Sequence, residues 1–501
     1  MKKIEGNQTQ LKKKAISGLF WKFSERIIAQ MVSLIVAIVL ARLLTPDDYS
    51  VVGIVAIFFA FANVFISGGF NTALIQKKDA DKEDYSSVLF ISLLIATVLY
   101  VIVFFCAPFI ASAYQKDVLT PVFRVMGITL LINAFKSVVC AYISSHLQFR
   151  KFFFATIGGT VISAVVGIVM ALNGFGAWAL VAQQMTNAII DTLILYATTR
   201  IRFVFRISKQ KTKGLFNYSW KILMAEGISV VYDEINPLII GLKYSGTDLS
   251  YYSKGKSFPS LINSTIGNTL SAVLFPSMAK VQDDKEAVLH YTRKFMSTAS
   301  FFIFPMMVGF LVVAENFILV FLTEKWISAT FFLQAFCVVY MFNIIQTGNL
   351  QVIRAVGRSD IILILEIIKK VAYAIVIALF VLFTNKPEYL AVACIINTGI
   401  ATIVNTFPNR KLIGYKYRLQ IFDLLPNFIL ATIMGVVVYC IGLLNLNIVL
   451  LLILQILSGI IVYIILSLIT QNTTFKYLLN LIFHLFKTRG RKDEPDKEST
   501  P

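Results

Sequence analysis

Charge is scarce in this 501-residue chain: 15% of its residues are charged, where an ordinary soluble domain carries about 25%. Long hydrophilic stretches are missing as well. The largest, 200–214 and 471–501, fall well below the roughly 40 residues under which unaided domains become rare. Cysteine is limited to Cys106, Cys140, Cys337, Cys394 and Cys440, all in apolar stretches and without a CxxC spacing. The three histidines, His146, His290 and His484, lie outside the apolar cores. These shortages exclude a disulfide framework, a metal or haem site and an intramembrane histidine relay, so neither cofactor nor metal is expected. A secretory signal is not expected either, because the charged start leads into a span with no small-residue cleavage site. What remains is 57% hydrophobic with mean hydropathy +0.76, spread from end to end. This is an all-α integral membrane protein.

Crossing the hydrocarbon takes roughly 20 apolar residues. Fourteen candidate spans emerge: 16–40, 51–75, 86–113, 121–145, 152–173, 176–199, 215–242, 250–280, 291–314, 331–355, 361–383, 388–408, 421–444 and 447–470. The seventh and eighth are the weakest, since they hold charge and proline. The stretch 315–330 is amphipathic and expected at the interface. With the N-terminus inside, the inner connections hold 32 of the 46 lysines and arginines and the outer ones 8. That asymmetry supports the span count and two cytoplasmic termini. It also accounts for the net charge of +19 without a nucleic-acid partner.

A repeat of about 200 residues organises the chain. Trp21-Lys22 recurs as Trp220-Lys221, each after a Gly-Leu-Phe, and Asp48-Tyr49-Ser50 corresponds to Asp248-Leu249-Ser250. Phe149-Arg150-Lys151 corresponds to Gly357-Arg358-Ser359, all at offsets between 199 and 211. Two pseudo-symmetric six-helix bundles are therefore expected, at 1–205 and 206–410. Two added helices occupy 411–470, and a cytoplasmic tail 471–501. Parallel repeats of this kind are a transporter architecture, with the substrate site between the halves.

Ala41-Arg42-Leu43-Leu44-Thr45-Pro46-Asp47-Asp48-Tyr49 and Gly68-Gly69-Phe70-Asn71-Thr72-Ala73-Leu74-Ile75-Gln76 resemble the bacterial polysaccharide exporters of the multidrug/oligosaccharidyl-lipid/polysaccharide superfamily. Asn173-Gly174-Phe175-Gly176-Ala177-Trp178 and Phe275-Pro276-Ser277-Met278 add to the match. The resemblance runs over roughly 15–410, is most specific over 17–85, and looks like the O-antigen flippase branch. It implies translocation of an undecaprenyl-pyrophosphate-linked oligosaccharide from the inner to the outer leaflet, for O-antigen, capsule or another exopolysaccharide. It also implies an ion gradient, carried by protons or sodium. The protein is expected to act as a monomer in contact with membrane lipid.

Ionisable residues inside spans are costly and usually face a cavity or a partner. The first span carries Lys22, Glu25 and Arg26, and its repeat mate, the seventh, carries Lys221, Glu226, Asp233 and Glu234. Lys136, Asp191 and the cluster Glu366, Lys369 and Lys370 complete the set. Lys22 and Lys221 are near enough to their helix starts to snorkel instead. Lys136 and Asp191 can neutralise each other, and Glu366 can pair with its neighbouring lysines. Arg26 and Glu226 lie 200 positions apart and 10 and 11 residues into their spans, roughly 15–17 Å deep. Lys22, Glu25, Arg26, Lys136, Lys221 and Glu226 are the candidate substrate-binding residues. Arg26 would bind the diphosphate or an acidic sugar, and Glu226 would hold Arg26 when the site is empty. Asp233 and Glu234, just before Pro237, with Glu366 as partner, are the candidate cation-coupling residues. Pro237, Pro259, Pro276 and Pro305 mark the seventh to ninth spans for kinks.

Two other functions compete with a flippase. A drug or cation antiporter would want acidic dominance, which the seventh span has at net −2 and the first, at net +1, lacks. A membrane glycosyltransferase or polymerase would need Asp47-Asp48 to hold a metal. A turn and helix cap after Pro46 explains that pair more simply, and no enzyme activity is expected.

Overall fold

The computed structural model describes residues 21, 25–67, 69–77, 80–146, 148–199, 201, 203–204, 209–279 and 281–479. Every regular element among them is helical. The chain divides into two compact units, Met1–Ser253 and Lys254–Pro501.

The first unit holds α1 (Glu25–Leu43), α2 (Pro46–Ser67), the short α3 (Phe70–Gln76), α4 (Lys82–Ala113) and α5 (Leu119–Ser145). It continues with α6 (Arg150–Leu172), α7 (Ala177–Thr199) and α8 (Lys209–Ile239), which ends in a π-turn over Ile240–Tyr244. The next helix, α9 (Gly246–Ala279), runs from the first unit into the second. The second holds α10 (Lys285–Val312), α11 (Ala314–Phe321), α12 (Ala329–Ala355) and α13 (Ser359–Phe383). After α14 (Glu388–Thr406) and the single turn α15 (Asn409–Leu412) come α16 (Tyr417–Gly442) and α17 (Ile448–Ile469). Each of the fourteen expected spans coincides with a long helix among the described residues. Ten of these are long and apolar enough to cross a membrane, which makes this a multi-pass membrane protein. The other four, α7, α8, α9 and α13, carry amides or charges along their length and miss that threshold.

Local contacts recur at the offset read from the sequence. Thr45 opens α2 with a reciprocal cap: its hydroxyl accepts the Asp48 N–H at 3.2 Å, and the Asp48 carboxylate accepts the Thr45 N–H at 2.9 Å. Two hundred positions on, the Ser245 hydroxyl accepts the Asp248 N–H at 3.0 Å and donates to its carboxylate at 2.6 Å, opening α9. Such boxes satisfy N–H groups that a helix start leaves without partners. Asp81 caps α4 and Asp284 caps α10. Inside the helices, the Asn133 amide donates to Asn63 at 3.1 Å, tying α5 to α2. The Asn263 amide donates to Asn343 at 3.1 Å, tying α9 to α12.

Close packing in the first unit follows small residues. On α6, Gly159, Ser163 and Gly167 lie four apart on one face, and a Cβ at Gly159 or Gly167 would meet the Asp191 Cβ at 3.1 Å or the Gln183 Cβ at 2.9 Å. Small residues let membrane helices approach when apolar burial alone gives little drive. In the second unit polar knots do this work. Asn349, Thr406, Asn409 and Gln420, all buried, hydrogen-bond one another between α12, α14, α15 and α16. Asn427 donates to Ser300 at 2.8 Å and Tyr463 to the Phe301 carbonyl at 3.0 Å, fixing α16 and α17 to α10. The amphipathic stretch expected at the interface forms α11 and a 3-10 turn, Glu324–Trp326. Its Trp326 is fully buried, with the Lys254 ammonium 5.5 Å from the ring.

Candidate functional site

The polar residues of the first unit fall into three groups. Ahead of α1, Trp21 packs edge-on against Phe153 of α6 at 5.1 Å, and the Arg150 guanidinium sits 5.2 Å from the indole. One turn later the half-buried Glu25 carboxylate accepts the Thr156 hydroxyl at 2.9 Å. Glu25 is therefore held by α6, while Arg26, the next residue, has an exposed side chain. Lys22 lies outside the described residues.

The second group is a polar ladder across α2, α5, α7 and α6. Its centre is an ion pair between Lys136 of α5 and Asp191 of α7. Asp191 is buried and its Oδ1 has no partner. One turn from Lys136, Asn133 pairs with Asn63; one turn from Asp191, the Asn187 amide donates to the Ser163 hydroxyl at 3.3 Å. Residues three or four apart share a helix face, so the three links form one continuous seam. Sequence reading singled out the charged pair and missed its flanking amides, because asparagine in a span leaves no charge signal. The matching seam in the second unit is neutral. There Gln346, 210 positions after Lys136, donates to the Thr402 hydroxyl at 3.4 Å and the Thr398 carbonyl at 3.2 Å.

The third group lies along α8. Glu226 and Asp233 are exposed and Glu234 half-buried, whereas the side chain of Lys221 lies outside the described residues. Arg26 and Glu226 make no ion pair with each other among the described residues. Pro237 sits inside α8 and has no N–H to donate to the main-chain carbonyl four residues back, that of Asp233. The remaining candidate, Glu366, is in the second unit, where it accepts the Lys369 ammonium at 2.6 Å within α13. That is the local ion pair its sequence neighbours suggested.

Asp47 and Asp48 have other duties than metal binding. Asp48 closes the cap of α2, and Asp47 pairs with Lys116. No group of three His, Cys, Asp or Glu side chains able to hold a metal occurs among the described residues. The glycine-rich stretch at the end of α2 has a geometric reason. Gly69 has φ +80°, and a Cβ there would lie 2.4 Å from the Ser219 carbonyl oxygen of α8. Gly69 therefore packs directly against the residue preceding the repeated Trp220-Lys221.

Residues 39–330 match the polysaccharide biosynthesis protein family. Among curated relatives, the succinoglycan biosynthesis transport protein ExoT of Rhizobium meliloti is 26% identical over 58% of this chain and 59% of its own length. The teichuronic acid biosynthesis protein TuaB of Bacillus subtilis is 20% identical over 86% and 89% of the two chains. The lipopolysaccharide biosynthesis protein WzxC of Escherichia coli is 22% identical over 86% and 88%. The fold is shared with the lipid II flippase MurJ in its inward closed conformation, at TM-score 0.72 and 17% identity, covering 91% of this chain and 98% of that one. An inward-facing multidrug resistance transporter of the MATE family aligns at TM-score 0.62 and 15% identity, over 77% and 94%. The matched region contains both stretches that carried the resemblance, 41–49 and 68–76, together with the repeated caps of α2 and α9. This chain belongs to the polysaccharide biosynthesis protein family.

Proposed function

We propose that the protein is a flippase that moves an undecaprenyl-pyrophosphate-linked oligosaccharide from the inner to the outer leaflet of a bacterial cytoplasmic membrane. The observation that carries this reading is the set of charged side chains borne by the long helices α1, α5, α7 and α8 of the first unit. A charged group in the hydrocarbon costs at least about 2.5–3.5 kcal/mol. The cost is tolerable where the group faces water, a partner or a charged substrate. Glu25 and the Lys136–Asp191 pair have partners; Arg26 and Glu226 have exposed side chains with no such link between them. Sugars and a diphosphate cannot cross hydrocarbon, while a prenyl tail can remain in it. A polar, cation-bearing surface inside a membrane protein meets the first need, and open access to lipid meets the second.

In this reading Arg26 is the principal diphosphate ligand, because a guanidinium fork matches phosphate oxygens in pairs. Lys22, Lys136 and Lys221 add positive potential, and Glu25 and Glu226 keep the site from retaining the anion. Asp233 and Glu234, just before Pro237, bind the coupling proton or sodium ion, and Glu366 responds to it from the second unit. All fourteen long helices span the membrane, in two six-helix repeats plus two, with both termini in the cytoplasm. The protein works as a monomer by alternating access and carries out no bond-making chemistry. Translocation of a fluorescent lipid-linked oligosaccharide in proteoliposomes, with and without an ion gradient, tests this. Export of a cationic drug with no flipping of the lipid would favour an antiporter instead.

A further inference from the structure

The second unit contains an apolar groove of about 320 Å³ between α14 and α16, floored by α10 and α12. Ile403, Ile421, Leu425 and Phe428 line it with half-exposed side chains, so its long side is open. Its mouth is Tyr417, whose hydroxyl donates to the Ile403 carbonyl at 2.8 Å and ties the first turn of α16 to α14. Phe428 marks the far end, its ring edge-on to Phe304 at 5.9 Å. From Tyr417 to Phe428 is eleven residues, about 16 Å of helix. Half of a hydrocarbon layer about 30 Å thick is about 15 Å. The groove is as deep as one leaflet.

The mouth is strongly basic. Between residues 409 and 418 the chain carries Arg410, Lys411, Lys416 and Arg418 and no acidic residue. All four are exposed, and none joins an ion pair among the described residues. Arg410 is an electrostatic neighbour of the Tyr417 hydroxyl. The nearby carboxylate, Asp423, is already engaged: Arg293 holds it through two nitrogens at 2.7 and 2.9 Å, and Tyr415 donates to it at 2.8 Å. Four cations at the entrance of a leaflet-deep apolar slot match one chemistry, a phosphate joined to hydrocarbon chains.

We propose that this groove binds an anionic phospholipid, one acyl chain lying along α16 and the phosphate held by the basic corner at 410–418. On the topology proposed above, the lipid belongs to the inner leaflet. A long prenyl chain fits less well, because the Phe304–Phe428 contact ends the groove after one leaflet. Basic pockets between helices are general sites for anionic head groups, and Tyr417 has the interfacial position that tyrosine favours.

Native mass spectrometry of the purified full-length protein tests the site, with phosphatidylglycerol, phosphatidylcholine and undecaprenyl phosphate as probes. Wild type should retain phosphatidylglycerol at least about fivefold better than phosphatidylcholine. The fourfold variant Arg410→Gln, Lys411→Gln, Lys416→Gln, Arg418→Gln should lose that preference. Ile421→Trp, which fills the groove from an exposed position, should bind one phospholipid fewer whatever its head group. Ile403→Trp repeats this test from α14, so a folding defect in one variant does not decide the matter. An unchanged preference in the fourfold variant overturns the proposal. So does displacement of phosphatidylglycerol by equimolar undecaprenyl phosphate, which would assign the groove to the carrier lipid. The readout is binding, so it stands or falls separately from the flippase reading.

Discussion

Thr247 donates its hydroxyl to the Asp47 carboxylate at 3.4 Å, and the two residues are 200 positions apart, the offset at which motifs recur in the sequence. Both residues belong to the first compact unit, where the contact holds the start of α9 against the start of α2. The neighbouring contacts agree. A Cβ at Gly246, the counterpart of Pro46, would lie 3.0 Å from Ser50, and Lys116 bridges Asp47 and Ser50. Asp47→Cys with Thr247→Cys, in a background without the five native cysteines, should therefore crosslink with a short bifunctional maleimide. Absence of crosslinking in membranes would place these loops apart.

The ion pair between Lys136 and Asp191 predicts a pattern across two variants. Lys136→Gln alone leaves Asp191 buried and unpaired, at a cost of about 1–3 kcal/mol once the partial exposure of the lysine is allowed for. Lys136→Gln with Asp191→Thr installs the neutral link that the second unit uses at Gln346 and Thr402 and should recover the melting temperature. Surface glycan should stay low in both. Full export by the double variant would make the pair purely structural.

Arg26→Ala should abolish surface glycan while the protein remains inserted at normal levels, and Arg26→Lys should do so in part, because the bidentate fork is lost. Glu226→Gln should be milder. Wild-type glycan from Arg26→Ala at matched expression would remove Arg26 from the substrate site.

Asp233→Asn combined with Glu234→Gln should uncouple transport from the ion gradient in proteoliposomes, leaving slow, gradient-insensitive flipping. Undiminished gradient response in that variant would leave both carboxylates as structural groups.

Gly69→Ala should lower the melting temperature markedly. The added methyl meets both an unfavourable positive φ and the Ser219 carbonyl, a backbone atom with little freedom to withdraw. A loss of at least about 1 kcal/mol is expected, measurable by thermal unfolding in detergent.

Helix positions were legible because hydropathy over twenty residues is a strong signal, and each expected span overlaps a long helix. The offset of about 200 residues shows in the sequence at Trp21 and Trp220, which are rare residues. Its firmer marks do not, since Thr45 and Ser245, or Asn63 and Asn263, are common types whose equivalence appears only once their hydrogen bonds are seen. Lys136 and Asp191 were paired from sequence because opposite charges in spans need each other. Glu25 and Thr156 were not, because threonine is unremarkable in an apolar helix. The division at Ser253 was also hidden. Helix α8 packs with α2 and α3 through contacts such as Gly69 against Ser219, which no local pattern encodes.

The two seams differ in one physical respect. A strut built from an amide and a hydroxyl, as at Gln346 and Thr402, is nearly indifferent to an anion passing nearby. A strut built from an ammonium and a carboxylate is not, since an arriving phosphate competes for the lysine and loosens its hold on the aspartate. The first unit thus has a joint that an anion can loosen, and the second has one that an anion leaves alone.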